Sequence, residues 1–125
     1  MSWNDKRPMS PHLQVYDLPM TARLSILFRA AGVLLYFVMV ALVVVLGIIA
    51  AGEAAWSWLQ RLLLSTLGKS ALFLVTLIFY YHLCNGVRHL VWDTVRGLEL
   101  SSLRSSGYIV IAATVLLTLL TWGLA

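Results

Sequence analysis

Residues 30–52, AAGVLLYFVMVALVVVLGIIAAG, contain no charged side chain, and this stretch decides the fold class of the chain. About 20 consecutive apolar residues are enough for a helix to cross the hydrocarbon core of a bilayer. Inside the bilayer a helix also satisfies its own backbone hydrogen bonds. The stretch therefore predicts a transmembrane helix.

Two further apolar segments follow the first, so we predict three spans at about residues 23–52, 68–93 and 105–125. The 125-residue chain is 61% hydrophobic and only 11% charged, and its mean hydropathy is +0.89. Soluble domains are about half apolar and about one quarter charged. The composition therefore predicts an all-α membrane protein, with residues 1–125 forming a single transmembrane domain.

Two segments outside the spans have a different composition. Residues 1–22 are polar and contain three prolines, which forbid a regular helix, so we predict an irregular N-terminal arm. This arm lacks the apolar core of a secretory signal peptide, which favours a bacterial inner-membrane protein, with the mitochondrial inner membrane as the alternative. Between the first two spans, residues 53–68 include Trp56 and Trp58 and are typical of a short amphipathic helix in the headgroup region.

The basic residues predict the orientation of the chain. If three spans alternate, the N-terminal region and the second loop lie on the same side of the membrane, and the first loop lies on the other. Arg61 and Lys69 are the only basic residues on the first-loop side, and the other seven of nine lie opposite: Lys6, Arg7, Arg23, Arg29, Arg88, Arg96 and Arg104. The positive-inside rule therefore places the N-terminus in the cytoplasm.

Polar residues within the second span form a regular stripe: His82, Gly86, His89 and Asp93. Their spacing of i, i+4, i+7 and i+11 places all four on one face of a helix. Ionisable residues inside a span are functional candidates, and a neutral imidazole is a ligand for haem iron. Gly86 would let a flat macrocycle approach the backbone. The alternative is that His82 hydrogen-bonds to a neighbouring helix.

The first span carries a second stripe with the same spacing: Ser25, Arg29, Gly32 and Tyr36. The hydroxyl of Ser25 and the guanidinium of Arg29 form a donor pair one turn apart, which suits quinone carbonyls or haem propionates. In the alternative interpretation, Arg29 extends to the lipid headgroups while Ser25 bonds to its own helix.

Several classes of function are disfavoured by what the chain lacks. It contains no nucleophile–base pair, Gly-rich phosphate loop or carboxylate pair, so we do not expect the isolated chain to be catalytic. The basic residues flank apolar segments, which indicates lipid headgroups rather than nucleic acid as their partner. The single cysteine, Cys84, is interpreted as a small buried apolar residue.

Two longer stretches together resemble a known family. RPMSPHLQVYDLPMTARLSILFR (residues 7–29) and HLCNGVRHLVWD (residues 82–93) resemble the cytochrome b subunit of succinate dehydrogenase, the larger membrane anchor of respiratory complex II. The second stretch matches the family pattern HxxxGxRHxxxD in full. The first contains RPxSPHLxxY and SxxxR. It departs from the family at Phe28, where a histidine is usual, and at Ala31, where a small hydroxyl residue is usual.

The resemblance implies a role for each matching residue. His82 would be one axial ligand of haem b, with the other supplied by a second anchor subunit in a shared helical bundle. Haem propionates or the haem edge would lie near Arg29, His89, Arg88 and Gly86. Ubiquinone would bind near Ser25 and Arg29, and Asp93 would lie near the quinone pocket or at the interface with the iron–sulfur subunit. The N-terminal arm would pack against an iron–sulfur subunit.

In the reaction that the resemblance implies, a flavoprotein subunit oxidises succinate and the electrons pass through the iron–sulfur subunit to ubiquinone. Three other functions remain open: the anchor of a quinol:fumarate reductase, a structural anchor without haem, and a small transporter subunit. The transporter is the weakest, because the spans lack the broken helices and paired intramembrane charges typical of such proteins.

Overall fold

The computed structural model describes residues 17–124, which form four helices. In chain order these are α1 (Met20–Ala50), α2 (Glu53–Leu64), α3 (Thr66–Asp93) and α4 (Leu100–Leu124). Helices α1, α3 and α4 are long and apolar enough to cross a bilayer, and the described range contains no strand. The prediction of an all-α membrane protein with three spans is confirmed. Residues 1–16, most of the predicted N-terminal arm, lie outside the described range.

The connections between the helices follow from local sequence. Gly52 adopts a φ of 109°, which L side chains rarely adopt, and this residue turns the chain from α1 into α2. The segment predicted to be amphipathic forms α2, in which Leu59 is buried and Trp58 is exposed. The hydroxyl of Ser65 then accepts a hydrogen bond of 3.1 Å from the backbone N–H of Gly68 and caps α3.

Helix α4 extends beyond the apolar segment that marks the third span. The apolar run begins at residue 105, whereas the helix begins at Leu100, after Gly97 turns the chain at a φ of 72°. Polar residues can form the first turns of a helix where it leaves the hydrocarbon, so hydropathy locates the span but not the end of the helix.

Helix α3 packs against both α1 and α4. Against α1, the hydroxyl of Tyr81 donates a hydrogen bond of 2.7 Å to the carbonyl oxygen of Leu24. On α4, small buried residues face the bundle, namely Gly107, Thr114 and Thr118. Small residues let membrane helices approach closely, which compensates for the weak hydrophobic driving force between helices in lipid. We use the term "N-terminal end of the bundle" for the end where α1 and α4 begin and α3 ends.

Arg88 joins α3 to α4 at this N-terminal end. Its side chain is 6% exposed and donates hydrogen bonds to the hydroxyl of Ser106 (3.0 Å) and the carbonyl oxygen of Leu103 (2.8 Å). A longer bond of 3.4 Å reaches Oδ1 of Asn85, and the guanidinium carbon lies 4.2 Å from the centre of the Trp92 ring. A buried guanidinium needs such partners, because an unpaired charge in an apolar environment is costly.

We expect Arg88→Met to loosen the packing of α3 against α4, because it keeps an apolar stem and removes every donor. The free energy of unfolding should fall by about 1–3 kcal/mol, the usual cost of leaving buried polar partners unpaired. Thermal unfolding of the detergent-solubilised protein would measure it, with the exposed Arg96→Met as the matched control. If the Arg88 variant unfolds at the same temperature as the unchanged protein, this structural role is wrong. The role at the haem edge that the family resemblance implies would then be favoured.

Few apolar side chains are fully enclosed by this chain alone. Within residues 17–124 the buried hydrophobic residues are Leu24, Ala31, Leu59 and Val110. Large apolar residues on the outer sides of all three spans are exposed. Lipid or another protein must therefore cover most of the apolar surface.

Candidate functional site

The two histidines of α3 lie together against one aromatic ring of α1. Phe28 stacks on His82, with ring centroids 4.4 Å apart and planes inclined by 17°. The same ring stacks on His89, with centroids 4.9 Å apart and planes inclined by 28°. Residues seven apart on a helix lie two turns apart on one face, which is why a single ring can contact both.

Gly32 lets α1 approach His82 closely. A Cβ atom at this position would lie 3.2 Å from Cε1 and 3.7 Å from Nδ1 of the imidazole. The first of these distances is tighter than an ordinary carbon–carbon contact. A larger residue at position 32 would therefore displace the imidazole or push the helices apart.

Several nitrogen atoms in this region are buried without a hydrogen-bond partner among residues 17–124. They are Nδ1 of His82, Nε2 of His89 and Nδ2 of Asn85. Leaving a buried polar atom unpaired costs about 1–3 kcal/mol, and such atoms are uncommon in folded proteins. Their concentration on one part of α3 marks it as a candidate binding site.

Gly86 and Asp93, the other members of the α3 stripe, lie in more open positions. A Cβ atom on Gly86 would meet nothing within 4 Å, so the space beside this residue is open. Asp93 is the last residue of α3 and is exposed. The stripe therefore runs from the partly buried His82 towards the solvent-accessible end of the helix.

A cavity of about 340 Å³ opens at the N-terminal end of the bundle, and both Ser25 and His89 line it. Trp92 meets His89 edge to face, with ring centroids 4.9 Å apart. The lining combines apolar, aromatic and hydrogen-bonding side chains, including Thr21, Ser25, Arg88, His89, Trp92 and Leu103. Such a mixture is typical of sites for small organic ligands.

Several residues predicted from the sequence do not contact the histidines or do not line this cavity, and Asp93 is one of those that do not line it. Arg29 is exposed on α1 and does not line the cavity, although it lies one turn from Ser25. The guanidinium of Arg88 bonds to α4 rather than to the histidines, although its side chain reaches the cavity wall. Tyr36 is exposed and packs edge to face on Phe37, with centroids 5.5 Å apart.

Sequence reasoning missed the contacts of Phe28 and the positions of Thr21 and Trp92 in the cavity wall. Helical spacing could have found Phe28, because it lies three residues after Ser25 and four before Gly32 on the same side of α1. The same spacing could have found the contacts of Trp92, which lies four residues after Arg88 and three after His89 on α3. The positions of Thr21 and Trp92 in the cavity wall carry no such signal, because they depend on how α3 packs against α1 and α4.

Residues 17–124 contain no group of three or more His, Cys, Asp or Glu side chains arranged to hold a metal ion. A site that depends on several protein ligands is therefore absent from this range. Haem differs, because its macrocycle supplies the equatorial ligands and the protein adds only axial ones. The single imidazole of His82, with open space beside Gly86, fits that requirement.

The fold and the candidate site define a helical membrane protein with three candidate spans and two histidines that share one face of α3. Comparison with known proteins gives the family. The chain belongs to the family described as "Succinate dehydrogenase/Fumarate reductase transmembrane subunit", which matches residues 4–121.

Named relatives agree with this assignment. The succinate dehydrogenase cytochrome b556 subunit of Rickettsia felis is 36% identical, and that of Rickettsia prowazekii is 39% identical; each match covers 94% of this chain and 92% of the relative. The mitochondrial succinate dehydrogenase cytochrome b560 subunit of Dictyostelium discoideum is 38% identical over 90% of this chain and 59% of its own length.

Proposed function

We propose that this chain is the haem-binding membrane anchor of a succinate dehydrogenase and helps to form the site where ubiquinone is reduced. The main support is the pair of histidines on α3, each of which keeps a buried nitrogen without a partner in the described range. The names of the relatives support the assignment to this enzyme class.

His82 is the proposed axial ligand of haem b. It is partly buried in a span, packs against Gly32, and lies next to an open surface at Gly86. His89 lies two turns nearer the membrane surface, where it would bind the haem propionates together with Arg29. When bound, haem would exchange single electrons. This chain would hold the haem macrocycle through His82 and neutralise the negative charge of its propionates through His89 and Arg29.

Quinone binding is assigned to the cavity at the N-terminal end of the bundle. Ser25 would donate a hydrogen bond to one carbonyl of ubiquinone, and the apolar and aromatic wall would enclose the ring. Arg29 and Asp93 lie at the same end and would complete the site from its exposed side. Reduction to the quinol adds two electrons and two protons, and the guanidinium of Arg29 would stabilise the negative charge that the quinone oxygens carry until they are protonated.

Partner subunits are an essential part of this proposal. A second small anchor subunit would supply the other axial histidine and cover the exposed apolar faces of the spans. An iron–sulfur subunit would deliver electrons that a flavoprotein subunit takes from succinate. In this arrangement the N-terminal end of the bundle faces the cytoplasm of a bacterium, and residues 1–22 contact the iron–sulfur subunit; in a mitochondrion the same end faces the matrix.

Isolation of the intact complex from its native membrane tests the proposed function. Mass spectrometry should find a second anchor, an iron–sulfur subunit and a flavoprotein, and the reduced-minus-oxidised spectrum should show a b-type haem. A complete complex without a haem band would support the structural anchor instead. A complex that reduces fumarate with quinol far faster than it oxidises succinate would identify a quinol:fumarate reductase.

We expect Gly32→Ala to weaken haem retention, because the added Cβ would lie 3.2 Å from the His82 ring and displace it. We expect the affinity for haem to fall roughly tenfold, which is the low end of the range found when residues that orient a metal ligand are changed. Haem transfer from the purified complex to apomyoglobin would measure it. Gly47→Ala is the matched control, since a Cβ there meets nothing within 4 Å. Equal retention in both variants would contradict the placement of haem at His82.

A further inference from the structure

The two nitrogen atoms of the His82 ring have different surroundings. Nδ1 is buried, has no hydrogen-bond partner among residues 17–124, and would lie 3.7 Å from a Cβ atom at position 32 on α1. Nε2 is not one of the buried nitrogen atoms without a partner in this range. The edge of the imidazole that carries Nδ1 therefore faces α1, and Nε2 is the nitrogen left to ligate iron.

Hydrogen bonding within the described residues does not orient this ring. A histidine that ligates a metal ion usually donates its other ring N–H to a carbonyl or carboxylate oxygen, and this bond fixes the orientation of the ring. Nδ1 of His82 has no such acceptor within residues 17–124. The torsion that rotates an imidazole about its Cβ–Cγ bond has broad energy minima. The ring therefore needs a different constraint to keep one orientation.

Packing against α1 supplies this constraint from two directions. Phe28 covers one face of the His82 imidazole, with ring centroids 4.4 Å apart and planes inclined by only 17°. Gly32, one turn further along α1, meets the edge of the same ring at Cε1 and Nδ1. An imidazole that rotated out of this plane would lose the stacked contact and collide with the phenyl ring.

The same phenyl ring also constrains His89. The rings of Phe28 and His89 are stacked with centroids 4.9 Å apart and planes inclined by 28°. Trp92 meets His89 edge to face, at 83° between the ring planes. One side chain of α1 therefore holds both imidazoles of α3 close to parallel with its own ring.

We propose that Phe28 is a positioning residue for the axial ligand of the haem. By stacking on His82 it sets the plane of the ligating imidazole, in place of the hydrogen bond that usually does so. This inference rests on the proposed role of His82 as a haem ligand, and it assigns Phe28 no contact with iron. The plane of an axial imidazole determines how its π orbitals overlap with the d orbitals of iron, so the electronic structure of ferric haem reports that plane.

Electron paramagnetic resonance of the oxidised, intact complex tests the inference. Phe28→Met keeps an apolar side chain but removes the flat ring. The signal of the ferric haem should therefore shift in its largest g value and broaden, because the imidazole takes up several orientations. Phe28→Tyr keeps the flat ring and should give the spectrum of the unchanged complex. Phe37→Met is the matched control, because Phe37 is exposed on α1 and its aromatic contact is with Tyr36.

Haem content, measured on the same samples, separates this inference from the proposed function. If the unchanged complex contains no haem, the proposed function fails and this inference fails with it. If haem is present and Phe28→Met gives the unchanged spectrum, only the positioning role is wrong. The role is also wrong if Phe28→Tyr alters the spectrum as the methionine variant does.

A second variant without an aromatic ring keeps the test decisive if the methionine variant does not assemble. Phe28→Leu should show the same shift of the largest g value, and an unchanged spectrum would overturn the positioning role. Loss of haem from an assembled methionine or leucine variant, with full retention by Phe28→Tyr, would support it, because the tyrosine restores only the ring.

Discussion

His82→Leu should eliminate the b-type haem band from the reduced-minus-oxidised spectrum of the intact complex. Leucine retains an apolar side chain in the span but cannot ligate iron, so the expected loss is complete. Haem content per complex, measured after purification, would check it. Native gel electrophoresis should still show the assembled subunits, because hydrogen bonds from Tyr81 and Arg88, rather than from His82, join α3 to α1 and α4.

His89→Leu is the matched variant for this test. The two imidazoles lie on the same face of α3 and stack on the same ring, but only His82 packs against Gly32. We expect the His89 variant to keep its haem with altered propionate contacts. If the haem is lost from the His89 variant and kept in the His82 variant, the assignment of the axial ligand is wrong.

Ser25→Ala should reduce succinate:ubiquinone activity by about two orders of magnitude, because one donor to the developing negative charge on the quinone is lost. Succinate oxidation with an artificial acceptor at the soluble subunits should be unchanged. Ser101→Ala is the matched control, since Ser101 is exposed at the same end of the bundle and does not line the cavity with Ser25. Equal loss of both activities would show failed assembly and remove the support for a quinone site.

Arg29→Leu distinguishes between two roles for Arg29 on α1, quinone binding and contact with the lipid headgroups. If the exposed guanidinium of Arg29 contributes to quinone reduction, its variant should show the same selective loss as Ser25→Ala. If Arg29 instead extends to the lipid headgroups, quinone reduction should persist, and the site would be confined to the cavity that Ser25 lines.

The structure shows what Phe28, a departure from the family pattern, contacts. In the sequence it is a missing histidine near the haem propionates, as the family resemblance implies. In the structure its ring contacts both His82 and His89. An aromatic ring at this position stacks on both imidazoles but offers no hydrogen-bond donor or acceptor.

The sequence by itself determined the three spans and the stripes of polar residues along them. Spans can be predicted because any long segment that enters lipid must be apolar and must satisfy its own backbone hydrogen bonds. The shared face of His82 and His89 can be predicted because the period of a helix is fixed by its backbone geometry.

Only the tertiary structure decided which neighbour each face meets. Arg88 bonds to Ser106 and Leu103 of α4, Phe28 stacks on the histidines, and Ser25 faces a cavity while Arg29 is exposed one turn away. Helical periodicity states which residues share a side, but not the rotation of one helix against another. That rotation depends on close contacts between residues far apart in the chain, such as Gly32 with His82 and Gly107 with Leu24.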